Sequence, residues 1–536
     1  MFFKVKDVPI AWFPYFQMPD PSVKRKTGFL LPSFGSNSEM KSMISLPFFV
    51  NLSDNQNLTI TPKISMTHDP LGLLNYQGLF TKGKVDLDSS LTRDKDGTNQ
   101  GHIKTNFVYE PSDEWRFSGQ YYRTTSDTYF RRYKIEGITE TDSFLTSHLG
   151  GEYYGNHLQG SAEILNFQSL YESVSPTSIP VVLPIMQLNY TTQPLTENGL
   201  YAFSEVSSAL INNRDHFKSN RLSITQGVRL PYISSWGITT TLEGKVRGDA
   251  YSIDTGEYDI ANKAKNDSYL AGRVFPQAVL TLNYPLARRG EDTTQIIEPI
   301  VQVITGPNGG NPEKIPNSDS LVFDFSDTNL FSSNRFSGYD RVDSGSRVNY
   351  GIRWSMYEKN QTRSLQALFG QSYVLRDESE LSDIMGYKNH LSNYVGNVRF
   401  TQEWFSIRYR FRLDQRNFKS KKNDLNFEVG TNPLRLGITY LYQSAYSLGN
   451  QKFREKKEIT FYGRSKLSKN FSAIAKYRYN LMKDRKGPLE SEAILRYDNE
   501  CTAFEMGVSK SFTADRNYRG DTSVNFRLYL KTLGGK

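Results

Sequence analysis

At 536 residues the chain is too long for one ordinary soluble core, and it holds no run of the ~18 apolar residues that a membrane helix needs. Its net charge of +9 is dispersed, with no basic helix or arm, which excludes a nucleic-acid-binding protein. A basic wall along which an acidic lipid or saccharide passes, and solvated loops slightly rich in Lys and Arg, both remain open.

Only 37% of residues are apolar, whereas aromatics abound, with 33 Tyr and 33 Phe. That balance suits a transmembrane β-barrel, in which every second residue faces water, and equally a large soluble β-propeller or solenoid. The pattern along the chain separates them.

Residues 12–34, WFPYFQMPDPSVKRKTGFLLPSF, carry four prolines, a basic cluster at Lys24, Arg25 and Lys26, and an apolar run stopped by Pro32. Proline cannot donate to a β-ladder, so a strand carrying it belongs at an edge, a bulge or a weak junction. Beyond Gly28 the chain reads as a long antiparallel series. One unit recurs: a strand, a polar joint of about three to five residues, and a strand opening on an apolar residue. It appears at 51–64, 109–122, 230–243, 400–411, 430–442, 465–479 and 496–508. Longer polar segments lie between, at 86–101, 125–142, 249–267, 306–320, 376–390, 415–422 and 446–457. Short joints alternating with long loops is the asymmetry of an outer-membrane barrel. A propeller needs a period of about 40–50 residues, and none is present. The count reaches about 25 strands, with boundaries uncertain by a few residues.

Within strands the period is two. Phe405, Ile407, Tyr409, Phe411 and Leu413 share one face, and Ser406, Arg408, Arg410 and Arg412 the other. Three arginines on one face require a wet lumen or open solvent. No catalytic or metal set stands out. The six histidines are scattered, with no HExxH and no partner cysteine, so the sequence calls for no metal and no cofactor. An outer-membrane hydrolase is a remote alternative, but the sequence offers no G-x-S-x-G elbow to support it, and the chain reads as a non-enzyme.

Three stretches resemble the lipopolysaccharide-assembly outer-membrane proteins of the LptD, or organic-solvent-tolerance, family. VPIAWFPYFQMP with RKTGFLLPSFGS (8–36) resembles that family's approach to the barrel. NRFSGYDR (334–341), followed by R-x-N-Y-G, resembles its inward-folding outer loop. RYDNECTAFEMGVSKSF and VNFRLYLKTLGG resemble its last strands. The resemblance implies an all-β chain, a large antiparallel transmembrane barrel of about 26 strands with long outer loops and short periplasmic turns. It implies the outer membrane of a Gram-negative bacterium, and insertion of lipopolysaccharide into the outer leaflet through a lumen and a lateral gate. A general diffusion porin is the alternative.

The implied partners are lipopolysaccharide, an LptE-like plug lipoprotein and, through an N-terminal periplasmic domain, a bridge protein of the LptA type. Residues 1–7 lack a secretion-signal pattern. The expectation is therefore a barrel portion, 26–536, with 1–25 connecting it to a periplasmic jelly-roll domain outside this chain. The implied gate pairs a first strand near 26–33 with a last near 522–530, weakened by Pro19, Pro32 and Pro47. Arg408, Arg410 and Arg412 form the expected lumen wall. Asn334, Arg335, Phe336, Tyr339, Asp340 and Arg341 form the expected plug-contacting loop, with Arg335, Arg341, Asp340 and Asp343 pairing internally. Cys501, the single cysteine, is the site of a possible disulfide to the absent domain, or else an unreactive turn cysteine.

Overall fold

A computed structural model describes residues 2–5, 8–12, 26–38, 40–133, 135, 143–171, 174, 179–213, 217–255, 267–321, 323–360, 363–375, 385–387, 389–448, 451–500, 502–512 and 520–530. Successive strands pair antiparallel with their neighbours, and the last returns to the first, closing a barrel of 26 strands. Three of the 26 are interrupted: Gly28–Phe29 continues as Ser33–Asn37, Lys41–Ser45 as Phe48–Ser53, and Ser268–Asn283 as Leu286–Arg289. Phe2–Val5 and Val8–Trp12 form a separate two-stranded sheet outside the barrel. No helix among the described residues is long and apolar enough to cross a membrane.

The two-residue period sets an apolar exterior around a polar interior. In Lys218–Ile233, Ser219, Arg221, Ser223 and Thr225 are buried inside. Their alternates Leu222, Ile224 and Val228 are 45%, 40% and 46% exposed outside. Such an inverted surface is stable only against hydrocarbon. The seven short joints fall where the sequence places them, as at Ser53–Gln56, Ser112–Trp115 and Thr431–Leu434.

The strand count exceeds the sequence reading by about one, and two of its polar loops are corrected. Segment 86–101 lies mostly in strands Gly83–Arg93 and Asn99–Ser112, and 249–254 completes Thr239–Asp254. The reason is the wet face: Asp86, Asp88, Ser90 and Thr92 point inward while Leu87 and Leu91 point to lipid, so half a strand reads as loop.

The same alternation predicts contrasting mutants in Lys456–Lys466. Outward Phe461→Arg should destabilise the barrel by about 2–4 kcal/mol near the bilayer midplane, whereas Thr460→Arg, facing the lumen, should be nearly neutral. Urea unfolding in lipid vesicles measures both; equal costs would contradict the facing.

Candidate functional site: the seam and the plugged lumen

Among the described residues, the closing junction is the thinnest in the barrel. The last strand, Thr522–Leu530, pairs with Thr502–Ser511 through nine register pairs. Against the first strand it has three: Val524 with Ser36, Asn525 with Gly35, and Phe526 with Phe34. The pairing therefore lies beyond Pro32, not at the 26–33 expected from sequence. Pro32 supplies no N–H, and the ladder resumes only at Ser33. On the other side of the break, Gly28–Phe29 pairs with Phe48 and Phe49 alone. Pro47 interrupts the second strand at the same height, and its carbonyl accepts from the Leu30 N–H at 2.8 Å. Two neighbouring strands are thus broken side by side at prolines. Pro19 lies outside the described residues, as does Cys501.

The outer end of the seam is clasped. Asp521 Oδ1 accepts from the Ser38 N–H at 2.7 Å, and Ser38 Oγ accepts from the Thr522 N–H at 3.3 Å. Behind the seam a cavity of about 280 Å³ opens, lined on one side by Gly35 and Asn37 and on the other by Asn525 and Arg527, with Lys63 and Asp88 beyond.

Two loops fold inward. In the segment read as the polar loop 125–142, Tyr129–Tyr133 forms a short helix whose Tyr129, Phe130 and Tyr133 are buried with Met40, Leu71 and Leu145. Tyr129 hydroxyl meets Ser90 Oγ at 2.6 Å, and Ser90 Oγ also meets His102 Nδ1. Asn37 donates to the Arg132 carbonyl at 3.5 Å, so this cap rests on the turn of the seam hairpin. Sequence reasoning missed it; the only local signal is the aromatic spacing at 129, 130 and 133.

The second insert is the segment 306–346, between strands Thr293–Thr305 and Arg347–Glu358. Buried Arg221 on the wall bridges Asp319 (2.6 Å) and Asp340 (2.7 Å). The Tyr339 ring lies between the Arg221 and Arg247 guanidiniums, at 5.0 and 5.1 Å. Arg273 donates to the carbonyls of Tyr339 (2.6 Å) and Asp340 (2.8 Å). Burial raises the Asp319 carboxyl, but the Arg221 charge and hydrogen bond, with the amides of Asp340 and Tyr339, more than offset it and hold it low. For Asp340, burial and the Asp319 charge outweigh the pull of Arg221 and push the carboxyl up. Gly338 turns the segment with φ of 66°, where a Cβ would sit 2.5 Å from the Asp319 carbonyl.

On the opposite flank, Arg335 reaches Asp343 (3.6 Å) and Asn349 (2.9 Å), and Asn334 Oδ1 accepts from the Phe336 and Asp343 amides. Phe336 packs with Phe325, Leu330, Met385 and Val395. Of the expected internal pairs, Arg335 with Asp343 forms. Asp340 instead pairs with the wall, and Arg341 donates to the Ile315 carbonyl at 3.0 Å. Arg335, Phe336 and Asp340 are thus buried against the chain's own barrel. The arginine face of Phe405–Leu413 joins the same structure: Arg412 pairs with Asp324, and Arg410 lies 3.7 Å from Asp327. Arg408 forms no ion pair among the described residues.

A closed barrel with an apolar exterior, a polar lumen and its own loops folded inside is a large outer-membrane β-barrel protein. The family model LptD, LPS transport system D, matches residues 100–471, and the chain belongs to that family. The LPS-assembly protein LptD of Histophilus somni is 24% identical over 553 residues, covering 97% of this chain and 69% of its own. That of Pasteurella multocida is 25% identical over 574 residues, covering 99% and 72%. Among solved structures, the FrpB iron transporter of Neisseria meningitidis aligns over 95% of this chain and 82% of its own at 8% identity. Its TM-score of 0.36 is too low to bear on function.

Removing Arg221 leaves two facing buried carboxylates, which costs about 3–5 kcal/mol when one member of a buried ion cluster is lost. Arg221→Gln should therefore undock the segment 306–346 and speed tryptic cleavage at Lys314 and Arg341 in the folded barrel. Unchanged protection would show that the apolar contacts alone hold it.

Proposed function

We propose that this barrel inserts lipopolysaccharide into the outer leaflet through its lumen and a lateral gate between the first and last strands. The observation that carries the reading is the seam, where three register pairs stand against nine on the neighbouring junction. An amphiphile with hydrated sugars and acyl chains cannot leave through a closed pore, since one half of it needs water and the other lipid. A wall that parts at one junction releases it sideways. Each unpaired backbone group in lipid costs several kcal/mol, so the junction with fewest pairs opens first. The breaks at Pro32 and Pro47 keep that number small.

In this reading the luminal cavity behind Gly35 and Asn525 is the last station before the membrane, and residues 1–25 connect the barrel to a periplasmic domain that receives substrate from an LptA-type bridge protein. An LptE-like lipoprotein supports the inserted loops through the exposed parts of 334–341, of which Gly338 is the most open. The relatives' names describe assembly, and transport requires no catalytic group. Diffusion of small solutes through an open pore is the weaker reading, because two loops fill the lumen.

The test locks the seam. In a Cys501→Ser background, Gly35→Cys with Asn525→Cys places two thiols at directly paired positions. Oxidation should cut the appearance of new surface lipopolysaccharide by at least about tenfold, the effect of ~1.4 kcal/mol on a rate, with recovery on reduction. The same lock at Ser207 and Ser223, a pair far from the seam, should have no effect. Normal export through an oxidised seam would sink the gate. Pro32→Val, which restores a ladder donor, should slow export more mildly.

A further inference from the structure

Three cations on the inner wall, Arg410, Arg412 and Lys422, face carboxylates that belong to the inserted segment. Cross-strand partners share a face, so the register sets Arg399 beside Arg408 and Lys422 beside Arg412. Asp324 lies between Arg412 and Lys422, with one oxygen on each and the Lys422 contact at 2.6 Å. Asp327 holds Arg410 more loosely, at 3.7 Å through Oδ1, an oxygen buried without a hydrogen-bond partner. Its other oxygen accepts from Asn397 Nδ2 at 2.6 Å. Both acids sit in the inserted segment, whereas every cation sits on a strand. An anion whose two oxygens each meet a separate cation is in the arrangement a phosphate monoester takes between Arg and Lys.

Lifting the segment frees Arg410, Arg412 and Lys422, which join the already exposed Arg399 and Arg408 in one strip, opposed on the wall by Asp424 and Glu428. From Arg408 to Arg412 it runs about 13 Å along the strand. Arg410, 39% exposed at its side chain, is open to the lumen before the segment moves, whereas Arg412, at 3%, is reached only afterwards.

We propose that this strip is a phosphate-binding site for the phosphorylated glycolipid, and that Asp324 and Asp327 fill it in the resting barrel as stand-ins for substrate phosphates. The inference rests on lipopolysaccharide as cargo. Anionic cargo meets Arg410, displaces Asp327 and then Asp324, and so releases the segment as it binds. One set of charge-assisted bonds replaces another, and the lumen opens only when a competing anion is present. A ligand shifts such an equilibrium only by its differential affinity for the two states; here the differential is the vacated cations.

The experiment uses the purified full chain in lipid nanodiscs with bisphosphorylated lipid A as probe, and dephosphorylated lipid A as control. Asp324→Asn with Asp327→Asn removes the internal competitor. It should tighten binding of the bisphosphorylated form about tenfold, in the range of linked equilibria, in a salt-sensitive manner. The dephosphorylated form should not gain, and inorganic pyrophosphate should compete in the double variant. Adding Arg410→Gln and Arg412→Gln should abolish the gain; heat-modifiable migration checks that each variant is folded, and if the Gln variant is not, the phosphate dependence alone decides. Unchanged affinity in the Asn variant, an equal gain for dephosphorylated lipid A, or no competition by pyrophosphate would each overturn the site. These outcomes leave the seam untouched, and export through an oxidised seam would overturn the gate while leaving phosphate binding intact.

Discussion

Inside hydrocarbon no water is available to satisfy an N–H or a C=O, so a sheet that crosses a membrane must close upon itself. Closure follows from that constraint, and so does its one weak point. A chain that begins and ends has one junction whose two strands are not joined by a hairpin, and here that junction carries the fewest register pairs among the described residues. Prolines in the first two strands thin it further, while the third strand, Gln56–Ser65, runs unbroken and pairs with both halves of the second. The weakness is thereby confined to the seam and does not spread around the wall.

A lumen this wide cannot be filled by strand side chains alone, and the chain fills it with its own loops. The two inserts divide the interior. The aromatic cap at Tyr129–Tyr133 rests on the seam hairpin through Arg132 and Met40. The longer segment is fastened by ion pairs to the far wall, at Arg221 and again at Arg412. The first joins the outer end of the seam to an apolar cluster. The second is held by charge. The seam and the longer insert are thus held by different interactions.

Much of the barrel was legible because its signals are local. Short joints fix the hairpins, and the alternation in 405–413 fixes which residues face water, without reference to any distant residue. The polar face misled in 86–93: Asp86, Asp88, Ser90 and Thr92, with Ser89 and Arg93 among their neighbours, outweigh the outward Leu87 and Leu91 and read as loop. The Tyr129–Tyr133 helix is too short for a 3.6-residue period to show. The luminal site was half legible. Its arginines stood out, but their partners did not, since Arg221 and Asp319 are 98 residues apart and Arg412 and Asp324 are 88. Nothing local says that a charged face will meet a loop from elsewhere in the barrel. The seam was placed a few residues early: Pro32 interrupts the first strand, and the pairing with the last strand falls beyond it, at Phe34, Gly35 and Ser36.

The first and last strands should form the junction that opens most easily. Amide hydrogen exchange of the folded barrel in nanodiscs tests it directly, because exchange reports the local opening free energy of each ladder. Peptides covering Ser33–Asn37 and Thr522–Leu530 should exchange well before those covering Lys218–Ile233 and Thr239–Asp254, and faster still with lipopolysaccharide present. Protection of the seam equal to that of the far wall would contradict it.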